Sequence, residues 1–179
     1  MSNNIHRFAF TVAYPSRVDI LQKNISITPS AVLEDSKMKE DTISAWDTGA
    51  NHSVISSQLV QALNLKPIGI TQVNGVHGKS SCNNYLIDMI LPNQVIIQQV
   101  RVIESNSIPF GVLVGMDIIG LGDFTISNSE NKTKFSFQIP STHNTDYVAE
   151  IEEINKKNRP SQKYTTDDIR AYLAKRKKK

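Results

Sequence analysis

The sequence predicts an all-β domain with one or two short helices, followed by a helical C-terminal tail. Over residues 1–144, apolar residues recur at every second position in several segments, as they do in half-buried strands. From residue 145 onward the spacing becomes three to four, which is the period of a helix face. We therefore expect one domain over residues 1–144 and a separate helical, Lys-rich extension over residues 145–179.

The strand segments of the domain are short and are separated by polar or proline-containing turns. The clearest is the first, in which large apolar residues alternate with small or polar ones over residues 8–14. The alternation changes its register within residues 95–102, which predicts a β-bulge there. The predicted strand segments are 8–14, 24–27, 42–46, one starting at 68, 85–91, 95–102 and 133–139.

Helices are expected at two places in the domain and at two in the tail. Residues 57–64 place three apolar residues on one side, behind a cap at Ser56 or Ser57, and a turn of helix follows Gly115. In the tail, a first helix face is marked by three apolar residues, and a second helix begins at residue 165 or 166. The apolar residues of the first tail helix are Val148, Ile151 and Ile154.

Composition is that of a soluble globular protein, with 39% hydrophobic and 21% charged residues. No apolar run approaches the roughly 20 residues of a membrane-spanning helix, and the N-terminal segment is a poor match to a signal peptide. The single cysteine, Cys82, excludes an internal disulfide framework and a thiolate-rich metal site. The simplest expectation is a cytoplasmic protein in a reducing environment.

The net charge of +3 comes from the tail. Residues 1–144 contain ten Lys or Arg and eleven Asp or Glu, whereas residues 145–179 contain ten and six. The basic character therefore gives no information about the chemistry of the domain.

The segment "AWDTGANHSVIS", residues 45–56, contains the most informative group of residues. Asp47 follows a predicted strand, Thr48 adds a hydroxyl group, and Gly49 permits a tight turn with close backbone approach. A lone carboxylate is an ordinary solvated group. Acid–base chemistry on a peptide bond needs two carboxyl groups that share one proton, because two like charges in contact cannot both ionise.

A second carboxylate of the same kind is absent from the sequence. Asp-Thr-Gly occurs once and Asp-Ser-Gly does not occur, while Asp88, Asp117 and Asp123 lack the following hydroxyl and glycine. If the pair exists, its second member must come from another copy of the chain. This requires a two-fold homodimer with Asp47 at the axis.

Three segments together resemble the retropepsin-like aspartic proteases. "AWDTGANHSVIS" resembles the active-site loop of that family, and "GVLVGMDIIGLGDF" resembles its second signature, an apolar pair and a glycine before a short helix. Between them, "TQVNGVHGKS" stands where the family has the flap that covers the substrate. Three elements in the correct order, over roughly residues 42–139, are far more specific than Asp-Thr-Gly alone.

This resemblance implies a retropepsin-like, pepsin half-barrel acid protease fold and a homodimeric aspartic endopeptidase that acts on peptides without a cofactor. Asp47 would be the catalytic residue, and a water molecule between two copies of it would attack the peptide carbonyl. The resemblance also implies a supporting set and a flap set of residues. Support of the loop would come from Thr48, Gly49, Ala50, Leu113, Val114 and Gly115, and the flap would contain Asn74, Gly75, Val76, His77 and Gly78.

The sequence departs from the family in three places. Trp46 precedes the aspartate where a smaller aliphatic residue is usual, and Met116 follows the glycine where viral members often carry Arg. The chain also continues beyond the short helix with a strand and a helical tail. In these respects it resembles cellular, non-viral members more closely.

Other interpretations remain open. The chain could be a peptide-binding or dimerisation module with little catalysis, although the intact Asp-Thr-Gly favours an enzyme. The "KRKKK" end could contact nucleic acid or an acidic partner electrostatically, although a solvated end is the simpler interpretation. A metal site is not predicted, because the four histidines are scattered along the chain. His52 and Cys82 lack partners at a recognisable catalytic spacing, and His77 is expected to be an exposed turn residue.

Overall fold

The computed structural model describes residues 6–33, 37–75, 78–92, 95–158 and 165–176. They fall into two compact units, Met1–Thr142 and His143–Lys179. The first unit is built mainly from strands, which confirms the all-β prediction. Its strands are β1 (Phe8–Ala13), β2 (Leu21–Pro29), β3 (Glu40–Trp46), β4 (Val54–Ser56), β5 (Gly69–Gly75), β6 (Gly78–Ile90), β7 (Ile96–Ser105), β8 (Val112–Val114), β9 (Asp123–Ser127) and β10 (Lys134–Ile139), and its α-helices are α1 (Ser57–Ala62) and α2 (Met116–Ile119).

Six strands form a closed sheet. The hydrogen-bonded order is β2-β3-β8-β4-β7-β6, and β2 also pairs with β6, which closes the ring. Strand β5 pairs antiparallel with β6 in a hairpin on this ring. The closure leaves no free edge within the ring, so backbone groups that an open sheet would expose are paired.

The position of strand β8 beside residue 47 determines where the candidate site lies. Strand β8 runs parallel to β3 and antiparallel to β4, so it lies between the two strands that precede and follow the Asp-Thr-Gly turn. Strand β4 continues this arrangement by pairing in parallel with β7. Three residues of β8 therefore connect two strands that are adjacent in sequence but not in the sheet.

A separate three-stranded sheet, in the order β1-β10-β9, contributes most of the aromatic core. Phe135 and Phe137 of β10 are 0% and 1% exposed, and Phe10 of β1 packs against both, with ring centroids 6.0 and 6.1 Å apart. The opposite face of this sheet is polar, as the period of two requires. Phe8 shares the inner face but lies at the end of its strand and is 46% exposed, so the predicted apolar face is only partly buried.

The differences from the sequence prediction concern the shortest elements. Strands β4, β8 and β9 were not predicted, since three to five residues are too few to show an alternating pattern. The predicted bulge is confirmed: the pairing of β6 with β7 shifts between Ile87 and Met89, and Gln99 has a positive φ of 57°. The buried carboxylate of Asp88 accepts the Gln99 backbone N–H at 2.8 Å and so fixes the bulge.

The second unit contains α3 (Tyr147–Asn158) and α4 (Thr166–Arg176), which confirms the predicted helical tail. Asp146 caps α3 by accepting two backbone N–H groups, and Thr165 caps α4 by accepting the Asp168 backbone N–H. The apolar residues of α3 remain exposed, from 52% for Ile154 to 69% for Val148. None of the helices described here is long and apolar enough to span a membrane.

Candidate active site

Asp47 lies at the carboxyl end of β3 with its side chain exposed. Its backbone N–H donates to the carbonyl oxygen of Val114 at 3.0 Å, and its own carbonyl oxygen accepts the Ala50 N–H at 3.3 Å. The Gly49 N–H donates to the Asp47 carboxylate at 2.8 Å. A carboxylate held by its own turn and exposed at a strand end is available to a reactant, as the chemistry of an acid–base group requires.

The turn is supported from below by the segment Leu113–Gly115. The carbonyl oxygen of Ala50 accepts the Met116 N–H at 2.8 Å, so β8 and the start of α2 are bonded to the turn. Gly115 has no room for a side chain, because an added Cβ would lie 2.7 Å from the carbonyl carbon of His52. The residues assigned from sequence to the support of the loop, Thr48–Ala50 and Leu113–Gly115, are thus brought together in the structure.

A part-buried pair of polar residues, Ser53 and Asp117, joins the far end of the turn to α2 and is not predicted from the sequence. The Asp117 carboxylate accepts the Ser53 backbone N–H at 2.9 Å and the Ser53 hydroxyl at 2.8 Å. The Ser53 hydroxyl accepts the Gly115 N–H at 3.1 Å, and Ser53 is 0% exposed. Sequence reasoning considered Asp117 only as a second acid. Nothing in the local sequence indicates its partner, which is 64 positions away.

Asp47 and Thr48 line a cavity of about 490 Å³. Its other walls are mainly apolar, and two of the residues that line it are large and exposed, Ile20 at 49% and Ile126 at 47%. Asp19 is the other carboxylate in this cavity. The remaining lining residues are Val18, Leu21, Ala45, Trp46, Phe110, Leu113, Phe124, Asn128 and Thr133.

A larger depression of about 630 Å³ lies beside α1 and the middle of β3. It contains Asp41 and exposed Ile43, but none of the three residues of the Asp-Thr-Gly turn. The Asp41 carboxylate is already bonded to the Ser26 hydroxyl at 2.5 Å. Its size alone is not a reason to prefer it, because the chemistry-bearing turn opens into the other cavity.

The unusual Trp46 is explained by the three-stranded sheet. Its ring stacks on Phe124 with the centroids 5.6 Å apart and an interplanar angle of 9°, and it lies 5.2 Å from Phe137 and 5.5 Å from Phe10. Trp46 is 5% exposed and fills the space between the closed sheet and the three-stranded sheet. A large aromatic residue beside the aspartate therefore has a packing role, and the sheet that accommodates it contains the strands β9 and β10.

The predicted flap coincides with the hairpin of β5 and β6. Backbone pairing continues to the tip of the described strands, where Gly75 lies opposite Gly78, and Asn74 belongs to β5. Val76 and His77 lie outside the described residues. The part of the flap prediction that the structure describes is thus a two-stranded backbone ribbon.

The other aspartates considered from sequence are engaged elsewhere. Asp88 fixes the bulge, Asp117 binds Ser53, and Asp123 accepts the Ser141 hydroxyl at 2.5 Å and the Thr142 N–H at 2.8 Å. None of these three lines the cavity that contains Asp47. Within the described part of the chain, no group of three or more His, Cys, Asp or Glu residues is placed to hold a metal ion.

One more polar cluster fastens α1 to the closed sheet. Glu104 of β7 accepts the Ser57 hydroxyl at 2.7 Å and the hydroxyl of buried Tyr85 at 2.9 Å. The Ser57 bond, followed by those from Tyr85 and Asn83, holds the pKa of Glu104 below its ordinary value. Burial, together with the bond to Glu104, raises the pKa of Tyr85. None of these four residues, Ser57, Asn83, Tyr85 and Glu104, lines either of the two cavities described above. We therefore interpret the cluster as structural.

The comparisons with known proteins concern the fold. No protein-family model matches the sequence, and no curated protein matches it. Among solved structures, it is similar to a retropepsin-like aspartic protease from Rickettsia conorii, at 10% identity and a TM-score of 0.49, over 75% of this chain and 97% of that one. It is also similar to EIAV protease complexed with the inhibitor HBY-793, at 19% identity and a TM-score of 0.42, over 57% and 86% of the two chains. The strands of the first unit show the all-β fold that the sequence predicted.

Proposed function

We propose that the protein is an aspartic endopeptidase that acts as a homodimer and hydrolyses peptide bonds with one Asp47 from each chain. The observation that supports this most strongly is the placement of the single Asp-Thr-Gly turn. Asp47 is exposed at a strand end, bonded to Val114 through its backbone, and opens into an apolar-walled cavity. One such carboxylate is half of the pair that the reaction needs.

In the proposed reaction the two Asp47 carboxyl groups hold one proton between them. The ionised group takes a proton from water, and the resulting hydroxide attacks the carbon of the peptide carbonyl. The protonated group donates its proton to the carbonyl oxygen, which gives a neutral tetrahedral diol. When the C–N bond breaks, the protonated carboxyl group donates its proton to the departing amine nitrogen and the ionised one takes a proton from a hydroxyl group of the diol, so the pair again holds one proton. No cofactor takes part.

The surface around Asp47 suits contact with a second copy. Ile20 and Ile126 are each about half exposed and line the same cavity as Asp47. Two half-exposed apolar side chains around one cavity offer a contact surface for a second copy. Strand β9, which carries Ile126, is an edge of the three-stranded sheet and offers backbone groups as well.

The β5–β6 hairpin gives the substrate a backbone partner. An extended peptide that lies along the hairpin gains strand-like hydrogen bonds, and closure of a ribbon over it excludes water from the reaction. We assign this role to Asn74–Gly78, with Thr48–Ala50 and Leu113–Gly115 as the support of the catalytic turn. The single cysteine, Cys82, fits action in a reducing compartment such as the cytoplasm.

The test is digestion of a synthetic peptide library by three proteins: wild type, Asp47→Asn and Asp19→Asn. Asn keeps the shape of Asp but cannot share or accept the proton. We therefore expect Asp47→Asn to lose activity by at least about a thousandfold while its circular dichroism is unchanged. Asp19→Asn is the matched control, since it removes a carboxylate from the same cavity.

The outcomes separate four cases. Full activity of Asp47→Asn removes Asp47 from the mechanism. Equal loss in Asp47→Asn and Asp19→Asn indicates a pair within one chain. Specific peptide binding by wild type without cleavage supports the alternative of a peptide-binding or dimerisation module, and salt-dependent nucleic-acid binding by the isolated tail supports a role for its basic residues.

A further inference from the structure

Asp117 and Ser53 take no direct part in the proposed reaction, yet they form a connection between the Asp47 turn and α2 in which Ser53 is fully buried and Asp117 is partly buried. The Asp117 carboxylate accepts both the backbone N–H and the hydroxyl of Ser53, at 2.9 and 2.8 Å. The same carboxylate accepts the Ile118 N–H at 3.1 Å, which orients it at the start of the helix. Three groups thus donate to the Asp117 carboxylate at normal hydrogen-bond distances, and together they fix its position.

Ser53 extends the connection by one further bond. Its hydroxyl donates to Asp117 and accepts the backbone N–H of Gly115 at 3.1 Å, so one buried hydroxyl joins β8, α2 and the end of the turn. Ser53 is fully buried, and water cannot replace a bond that is lost there. Removal of either Ser53 or Asp117 should therefore change the position of the turn.

The turn is thus bonded to one short segment at both of its ends. Near Asp47 the bonds are between backbone groups, from the Asp47 N–H to Val114 and from the Met116 N–H to Ala50. At Ser53 the carbonyl oxygen accepts the Ile103 N–H at 3.1 Å, whereas the bonds to α2 depend on the Asp117 side chain. Only the second end can be loosened by changing one side chain without altering the catalytic residue.

We infer that Asp117, acting through Ser53, is a positioning residue for the Asp47 pair. This inference rests on the proposed function. Two carboxyl groups that share a proton across a two-fold axis must keep their separation to within a fraction of an ångström, and a displacement of about 1 Å can cost a hundredfold in rate. Asp117 limits this displacement by fixing the end of the turn that no backbone bond to Val114 reaches.

A carboxylate is suited to this position, whereas an amide is not. Ser53 presents two hydrogens, its N–H and its O–H, and the two oxygens of Asp117 accept one each. Asn at position 117 has one acceptor oxygen, and its NH₂ group would face a buried hydroxyl hydrogen. Asp117→Asn therefore breaks one bond with little change of shape.

The experiment compares Asp117→Asn, Ser53→Ala and the double variant, using the peptide substrate found in the library digestion. We expect kcat to fall about tenfold to a hundredfold in each single variant while KM changes less than about twofold. The double variant should lose no more activity than the more impaired of the two single variants, because both residues act through the same connection. Ser53→Ala, which only removes an oxygen atom, serves if Asp117→Asn does not fold.

The second readout is amide hydrogen exchange by NMR, which does not depend on activity. Exchange at Gly49 and Ala50 should become faster in both variants. Ser56→Ala is the matched control, since Ser56 is a buried serine of neighbouring β4 whose hydroxyl caps α1. It should lower the melting temperature but leave kcat and the exchange of the turn unchanged.

Unchanged kcat in Asp117→Asn and Ser53→Ala, with Asp47→Asn inactive, would overturn the positioning role. An equal loss of kcat in Ser56→Ala would also overturn it, since the loss would then follow general destabilisation. If Asp47→Asn is itself active, the proposed function fails instead. In that case the exchange rates of Gly49 and Ala50 still decide whether Asp117 holds the turn.

Discussion

The turn 47–53 and the helical tail are stabilised over very different distances along the chain. The bonds of Ser53 reach residues 62 and 64 positions away, whereas the caps and ion pairs of α3 and α4 join residues two to four positions apart. Ser53 is fully buried, while Val148 of α3 is 69% exposed. Long-range bonds in a dry interior fix one geometry, and local bonds at an exposed surface leave a segment separable.

This contrast gives a ranking of substitutions. Substitutions where β8 and the start of α2 are bonded to the Asp47 turn should alter both stability and activity, because β3, β4 and α2 are all joined there. Changes in the tail should alter neither. If the bonds indicate this difference correctly, substitutions at the Asp47 turn should cost the most and removal of the tail the least.

The largest effect after loss of Asp47 itself is expected for Gly115→Ala. The new Cβ would lie 2.7 Å from the carbonyl carbon of His52 and 2.9 Å from the carbonyl oxygen of Ala50, so the turn must move. We expect a loss of about 1–3 kcal/mol in the free energy of unfolding and about a hundredfold in kcat/KM. Urea unfolding and the peptide assay measure the two.

Gly69→Ala is the control for this prediction. Its nearest atom would be 3.9 Å away, an ordinary contact, and stability should change by less than about 0.5 kcal/mol. Equal effects of the two substitutions would show that Gly115 is not a special close approach.

The next effect concerns the shared site. When wild type is mixed with a ninefold excess of Asp47→Asn chain and the dimers exchange, only about one wild-type chain in ten pairs with another. Activity per wild-type chain should then fall about tenfold, since a mixed dimer holds one carboxylate and one amide. A peptide assay combined with sedimentation checks this. Full activity in the mixture, or in a preparation shown to be monomeric, contradicts the homodimer.

A smaller effect is expected at Glu104. Its pKa is lowered in the folded state, chiefly by the Ser57 hydroxyl bond, so its stabilising contribution is present above the unfolded value near 4.5 and is lost as the pH falls through the folded value. Glu104→Gln should therefore cost about 1 kcal/mol at pH 7, and the difference from wild type should shrink below about pH 4. Thermal unfolding from pH 3 to 8 measures it. A constant difference over that range would exclude a contribution from the charge.

The smallest effect is expected for removal of residues 160–179. Helix α4 is held by its Thr165 cap and an exposed ion pair between Arg170 and Asp167, and both of these bonds join residues three positions apart. The free energy of unfolding should change by no more than about 0.5 kcal/mol, so the melting temperature should shift little. Activity should be retained. Expression, thermal unfolding and the peptide assay test this. Loss of soluble protein would show that the tail belongs to the folded core.

Much of this molecule can be predicted from local sequence. The alternation in 8–14 and 133–139 predicts β1 and β10, and the helical period after residue 145 predicts α3 and α4, because each pattern repeats over enough residues to be distinct. The glycine after Val114 likewise marks the start of α2. The resemblance also predicts that the Asp-Thr-Gly turn lies beside the segment of Val114 and Gly115, and the Asp47 N–H donates to the Val114 carbonyl oxygen.

The remaining features depend on contacts between residues distant in the chain, which no local pattern records. Strand β8 is only three residues long, and its place between β3 and β4 is decided by the closure of the sheet. The space for Trp46 is created by Phe124 and Phe137 from another sheet. A carboxylate at a strand end before Thr-Gly can be predicted from the sequence alone. The bonds of Asp117 at the far end of that turn cannot, because a hydrogen bond shielded from water depends on which groups the fold brings together.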